Sequence, residues 1–234
     1  VQSNAPATQA APALVLFDID GTLLRRAGPH HRLALAEAIR IATGFETTTD
    51  GIPLHGMLDP VIMAEMLRRA GASEALIAES MPELVRHAQA IYAESCPNLE
   101  RKTCPGVRRT LERLERSGAV LGLVTGNLTC IGWKKMERAG LRRYFRFGAF
   151  GEMAPDRGVL VQKAVQEALR QGWIDSRARV SFIGDAPADI LAARAAGVQS
   201  IAVATGLCPA DELRGFHPDI LLRDLRALRL EMVL

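Results

Sequence analysis

Phe17-Asp18-Ile19-Asp20-Gly21-Thr22-Leu23-Leu24 follows directly on the apolar run Ala13-Leu14-Val15-Leu16. The run has the length and composition of a buried strand. It ends in two carboxylates, a glycine that permits a turn, and a hydroxyl. Unpaired carboxylates are costly to bury, so a cation belongs at this strand end. A divalent metal is the simplest candidate.

Working outward, short apolar runs recur at residues 119–124, 147–150, 180–183, 200–204 and 219–222. The spacing predicts helices between the later runs, over 107–116, 159–171 and 189–196, the last stopped by Gly197. Strand–helix alternation predicts an α/β fold: a three-layer, Rossmann-like sandwich with a parallel central sheet. Residues 25–102 break the alternation. They show helical periodicity over 33–42, 60–70, 73–80 and 82–95, with Pro60 and Pro82 at first-turn positions, Gly71 as a stop and Ser73 as a cap. The expected organisation is therefore a flexible tail over 1–12, a core formed by 13–24 and 103–234, and a helical cap over 25–102. The cap would be inserted after the first strand and would overhang the carboxyl edge of the sheet, where open α/β folds bind ligands.

Two further strand ends carry polar clusters. Leu121-Gly122-Leu123-Val124 runs into Thr125-Gly126-Asn127, a corner that suits a phosphate oxygen and is also a common turn. Val180-Ser181-Phe182-Ile183 runs into Gly184-Asp185-Ala186-Pro187-Ala188-Asp189. Asp189 reads best as a helix cap; Asp185 has no such explanation. If these ends are neighbours, Asp18, Asp20 and Asp185 converge on one hard cation, and Mg²⁺ suits few carboxylates with water and a phosphate oxygen.

Asp-Ile-Asp-Gly-Thr, then Thr-Gly-Asn after a helical insert, then Gly-Asp-Ala-Pro-Ala-Asp resembles the haloacid dehalogenase superfamily. Within it, the chain resembles the phosphatases with a helical cap, such as phosphoglycolate phosphatase and β-phosphoglucomutase relatives. The resemblance spans nearly everything after the tail. It implies that Asp18 is the nucleophile forming an aspartyl-phosphate and Asp20 the general acid and base. It implies that Thr125, Gly126 and Asn127 hold phosphoryl oxygens. Mg²⁺ would bind Asp18, the Asp20 main-chain carbonyl and Asp185. The turn depends on Gly21, supported by the Thr22 hydroxyl. A Lys that relatives carry before the helix over 159–171 is missing; Arg157 is the nearest cation and is expected to pair with Asp18. Lys163 lies too far into the helix. Around Leu54-His55-Gly56-Met57-Leu58-Asp59, relatives often carry a cation where this chain has Met57, which argues against a second anionic group on the substrate. His30, His31 and His55 are placed to face the cleft, though a lone His is more often a surface residue. Trp133 reads as packing, and Lys134 and Lys135 as a solvated face.

These readings imply a Mg²⁺-dependent hydrolase of a small phosphorylated metabolite. A phosphomutase, or a catalytically silent binding protein on the same fold, are the alternatives. A dehalogenase would need neither Asp20 nor a metal. Composition agrees with a globular chain: 234 residues, 48 % hydrophobic, 24 % charged, net charge +3. No basic stretch is interleaved with aromatics, which speaks against nucleic acid, and no apolar run reaches membrane-spanning length. The tail over 1–12 lacks the basic and apolar regions of a secretion signal. Cys96, Cys104, Cys130 and Cys208 form no CxxC pair, so reduced thiols in a cytoplasmic protein are expected.

Overall fold

The computed structural model describes residues 13–25 and 28–234; the tail expected over 1–12 lies outside them. Six strands form one sheet: β1 (Leu14–Phe17), β2 (Val120–Val124), β3 (Phe147–Ala149), β4 (Val180–Gly184), β5 (Gln199–Val203) and β6 (Ile220–Leu222). Their order is β3-β2-β1-β4-β5-β6, and every pairing is parallel. Helices α1 (His30–Thr43), α2 (Asp59–Arg69) and α3 (Glu74–Ser95) lie between β1 and β2 in sequence. They are followed by α4 (Val107–Arg116), α5 (Thr129–Arg138), α6 (Arg157–Arg170), α7 (Pro187–Ala195) and α8 (Ala210–Gly215).

Alternation along β1 assigns the two faces of the sheet. Val15 and Phe17 join Leu111 of α4 and Ile131 and Met136 of α5 in one core, which continues into Leu35, Met66 and Leu84 of α1–α3. Leu14 and Leu16 join Leu160, Val161 and Ala164 of α6 and Ala192 and Ala193 of α7 in the other. Three layers result, with the helical segment extending the first core beyond the carboxyl edge. The chain leaves and re-enters the sheet side by side: Leu24 bridges Thr103, and the Arg25 N–H donates to Lys102 O at 2.7 Å.

One helix differs from expectation. The residues over 73–95 form a single helix, α3, with Pro82 inside it rather than two helices with Pro82 at a start. Ser73 caps it as expected, accepting from the Leu76 N–H. Ile77, Leu84, Ala88 and Tyr92 form one buried stripe across the proline, and packing of that stripe holds the helix together. The carbonyl deprived of a partner by Pro82 belongs to exposed Ala78, where water substitutes. Among the described residues no helix is long and apolar enough to cross a membrane, and all four cysteines are free thiols.

Candidate active site

The sheet register builds the site. Phe17 lies opposite both Leu123 of β2 and Ile183 of β4. The residues that follow each strand therefore emerge together: Asp18 and Asp20 from β1, Thr125 to Asn127 from β2, Asp185 from β4. Gly21 has φ +91°, and a Cβ there would stand 2.2 Å from Asp185 Oδ2; a Cβ on Gly206 would stand 1.6 Å from the same atom. Only glycines admit the Asp185 carboxylate between these two turns.

Carboxylate oxygens of Asp18, Asp185 and Asp189 all lie within 4.8 Å of one another, and all three residues are buried. Arg157, at the start of α6, is buried with them. Its guanidinium lies 3.1 Å from Asp18 Oδ1 and bonds Asp189 as well. Asp189 also accepts the Ala186 N–H at 3.0 Å, so the helix-cap role is real but shared with an ion pair. Asp185 accepts the Thr22 hydroxyl on Oδ1 at 3.1 Å, while its buried Oδ2 has no hydrogen-bond partner. Thr22 thus serves Asp185 rather than the turn. Three carboxylates face one guanidinium. Burial, with the neighbouring Asp189 and Asp20, pushes Asp18 up to about 7 despite Arg157. Burial and the charges of Asp18 and Asp189 push Asp185 up to about 9.

The Asp20 carboxylate lies outside that cluster. Its Oδ2 accepts from Lys135 Nζ at 2.5 Å and from Asn127 Nδ2 at 2.8 Å. Its partial burial would raise its pKa, but the Lys135 ammonium and these hydrogen bonds outweigh that and hold it below the usual carboxylate range. Lys135, 1 % exposed, also donates to Asn127 Oδ1 at 2.5 Å and meets His31 Nδ1 at 3.2 Å. Its three N–H groups thus have three acceptors. His31 Nε2 stands 2.9 Å from Asp59 Oδ2; the tautomer protonated on Nε2 satisfies both neighbours. Asp59, first residue of α2, additionally accepts the Leu128 N–H at 2.8 Å and donates its own N–H to Gly126 O at 2.8 Å. These bonds fasten the start of α2 onto the β2–α5 turn. A Cβ on Gly126 would stand 2.1 Å from Met57 O, so the loop before α2 rests on the missing side chain. Thr125 is fully buried, and its hydroxyl oxygen accepts from Asn127 Nδ2 at 2.8 Å. Its own proton therefore remains available to an incoming oxygen.

Asp18, Asp20, Gly126, Asn127 and Arg157 line one cavity of about 570 Å³, walled on the other side by Leu35, Ile52, Leu54, Met57 and Ile62. His31 and His55 line it, His55 Nε2 standing 3.6 Å from Asp185 Oδ2; His30 does not.

The sequence profile of the haloacid dehalogenase-like hydrolases matches residues 12–197. The chain belongs to that family. Phosphoglycolate phosphatase of Pseudomonas syringae pv. tomato is 28% identical over 225 residues, covering 93% of this chain and 78% of the relative. The enzyme of that name from Agrobacterium fabrum is 29% identical, covering 92% and 90%. In fold, the chain is similar to the crystal structure of β-phosphoglucomutase from Clostridium difficile, with a TM-score of 0.67 at 16% identity, covering 94% of this chain and 95% of that one. This haloacid dehalogenase-like chain is therefore an enzyme, a hydrolase of the phosphatase type.

Phosphatases of this family generally use a metal, and the residues present fit one. Asp185 Oδ2 is a buried carboxylate oxygen without a partner, and Asp18 is compensated only in part. Hard, oxygen-only donors in a small buried cluster suit Mg²⁺. Arg157 lies against Asp18 and Asp189, and Lys163 is exposed and bonded to Met153 O at 2.8 Å. Lys135 does not lie on the expected solvated face. Lys134 is the solvated partner of Glu137 at 3.1 Å, whereas Lys135 is buried at the site. The signal was present: Ile131, Gly132 and Met136 are the buried positions around it on α5, so Lys135 falls within the apolar stripe by helical spacing. Asp59 and His31 carried no such signal, since their partners come from distant elements.

Proposed function

We propose that this hydrolase is a Mg²⁺-dependent phosphatase that cleaves the phosphomonoester of a small soluble metabolite through an aspartyl-phosphate on Asp18. One observation carries the reading: a nucleophile-capable carboxylate stands at a strand end in a buried cluster whose negative charge is not compensated by its one guanidinium. Such a cluster must either take up protons or be completed by a further cation.

Asp18 and Asp185, with the Asp20 main-chain carbonyl, would hold Mg²⁺; bound there, the ion supplies charge neutralisation between a carboxylate and a phosphate dianion. An Asp18 oxygen attacks phosphorus and the bond to the leaving alkoxide breaks. Asp20, ionised in the free enzyme beside Lys135, would take up a proton as the phosphate dianion binds next to it, give that proton to the alkoxide and afterwards take one from the water that cleaves the acyl phosphate. Lys135 and Asn127 fix Asp20 at the mouth of the cleft. Thr125 and the main-chain N–H groups of Gly126 and Asn127 receive phosphoryl oxygens. Arg157 does the work of the family's missing Lys, bonding Asp18 on one side and presenting guanidinium to phosphate on the other. The segment over 25–102 acts as the cap, its apolar wall meeting the leaving group. With four free thiols and a small-metabolite substrate, we place the enzyme in the cytoplasm.

Turnover of p-nitrophenyl phosphate and a panel of phosphorylated metabolites, with and without Mg²⁺, tests this. Phosphoglycolate comes first, since the curated relatives are named for it. Mg²⁺-dependent phosphate release that disappears in Asp18→Asn is expected; absence of turnover on every substrate would favour a silent binding protein.

A further inference from the structure

A second hollow, of about 590 Å³, opens on the other side of the catalytic turn. Arg25, Arg101, Lys102, Thr205, His55 and Asp20 line it, and the last two also line the catalytic cavity. The three cations sit on the two segments by which the chain leaves and re-enters the sheet. The Arg25 N–H to Lys102 O bond and the Leu24–Thr103 bridge fix those segments side by side, so the three charges are brought together by main-chain pairing. Among the described residues none of the three side chains takes part in an ion pair. Some other surface arginines are paired, as Arg40 with Glu37, Arg68 with Glu74 and Arg170 with Glu167; what sets Arg25, Arg101 and Lys102 apart is that all three line one hollow. Three uncompensated cations facing one hollow repel each other, and the field they set up draws an anion. The Thr205 hydroxyl donates to Gly21 O at 2.6 Å, which ties the floor of the hollow to the turn that carries Asp20.

We propose that this hollow is an oxyanion-binding site for a phosphate- or carboxylate-class group, held by Arg25, Arg101 and Lys102. Guanidinium forks and an ammonium are the side chains suited to such groups. Met57 brings no charge to the apolar wall of the catalytic cavity; the hollow supplies charge from the crossover segments. The group is either the far end of a doubly anionic substrate or a separate small anion. The site itself does not depend on the phosphatase reading; only its substrate arm does.

Inorganic sulfate is the probe, titrated calorimetrically into the whole chain in Mg²⁺-free buffer. Sulfate binding that weakens about tenfold or more in R101Q/K102Q, and falls as chloride rises, is expected. Unchanged sulfate binding in R101Q/K102Q, or no binding by the unaltered chain, overturns the proposal whatever the activity results. With turnover, the sources separate. A doubly anionic substrate loses about tenfold in kcat/KM in R101Q/K102Q while p-nitrophenyl phosphate stays within about twofold, if the group belongs to the substrate. Equal behaviour of both substrates alongside lost sulfate binding assigns a separate anion.

Discussion

Two carboxylates two residues apart, Asp18 and Asp20, occupy opposite electrostatic worlds. Asp20 sits in a closed account of charges and hydrogen bonds: Lys135, Asn127, His31 and Asp59 satisfy one another. Asp18 sits among Asp185 and Asp189 with Arg157 alone against them, and Asp185 keeps one oxygen unbonded. The difference follows from the turn at Gly21 and from which strand end each residue meets. It teaches that the completed network positions a group, whereas the incomplete one marks where a cation and a phosphoryl group enter.

The sharpest way to break the contrast is to neutralise its incomplete side. Asp18→Asn is expected to lower turnover by at least about three orders of magnitude while leaving the metal-free protein at least as stable, since a repelling buried charge is gone. A destabilised Asp18→Asn protein in thermal denaturation would show the cluster to be self-sufficient. Next, Arg157→Ala removes the one compensating cation. Turnover should fall about 10²–10³-fold, and stability by about 3–5 kcal/mol, with partial recovery in Arg157→Lys. Near-normal rates would pass the role to another cation.

Lys135→Met probes the completed side. It strands Asp20 and the Asn127 carbonyl without their donor, so a loss of about 1–3 kcal/mol is expected, with kcat falling further than KM rises. Smaller still is the pH effect. Asp18 and Asp185 are raised to about 7 and about 9, so the folded, metal-free protein holds protons there that the unfolded chain has released above its ordinary carboxylate range. That contribution is complete at low pH and is lost as pH rises through those values. Metal-free Tm should therefore decline from about pH 4, where the unfolded chain's carboxylates ionise, to about pH 9, and the Tm gain from Mg²⁺ should grow over the same range as binding displaces those protons. A Mg²⁺ increment independent of pH would place the ion elsewhere.

Most of the fold was legible because strand and helix periods are local properties. The six apolar runs became the six strands within a residue or two, and the parallel order followed from helices between them. Pro82 misled because the apolar stripe of α3 outweighs one missing hydrogen bond. At the site, Asp18, Asp185 and Arg157 were legible as charges at element ends. Asp189 reads as a cap from sequence because its bond to Ala186 is local, whereas its bond to Arg157 joins residues 32 apart. Lys135 was readable from its place on α5 but was masked by its charged neighbour Lys134. Asp59 and His31 depend on contacts across more than a hundred residues with Lys135 or between separate elements, which no local pattern encodes.

The most direct test is to stop a reaction with p-nitrophenyl phosphate and Mg²⁺ by rapid acid quench and locate covalent phosphate by peptide mass analysis. Phosphate is expected on the peptide containing Asp18, on that side chain, and none in Asp18→Asn. Turnover that persists in Asp18→Asn, or phosphate found on another residue, would contradict the assignment of Asp18 as nucleophile.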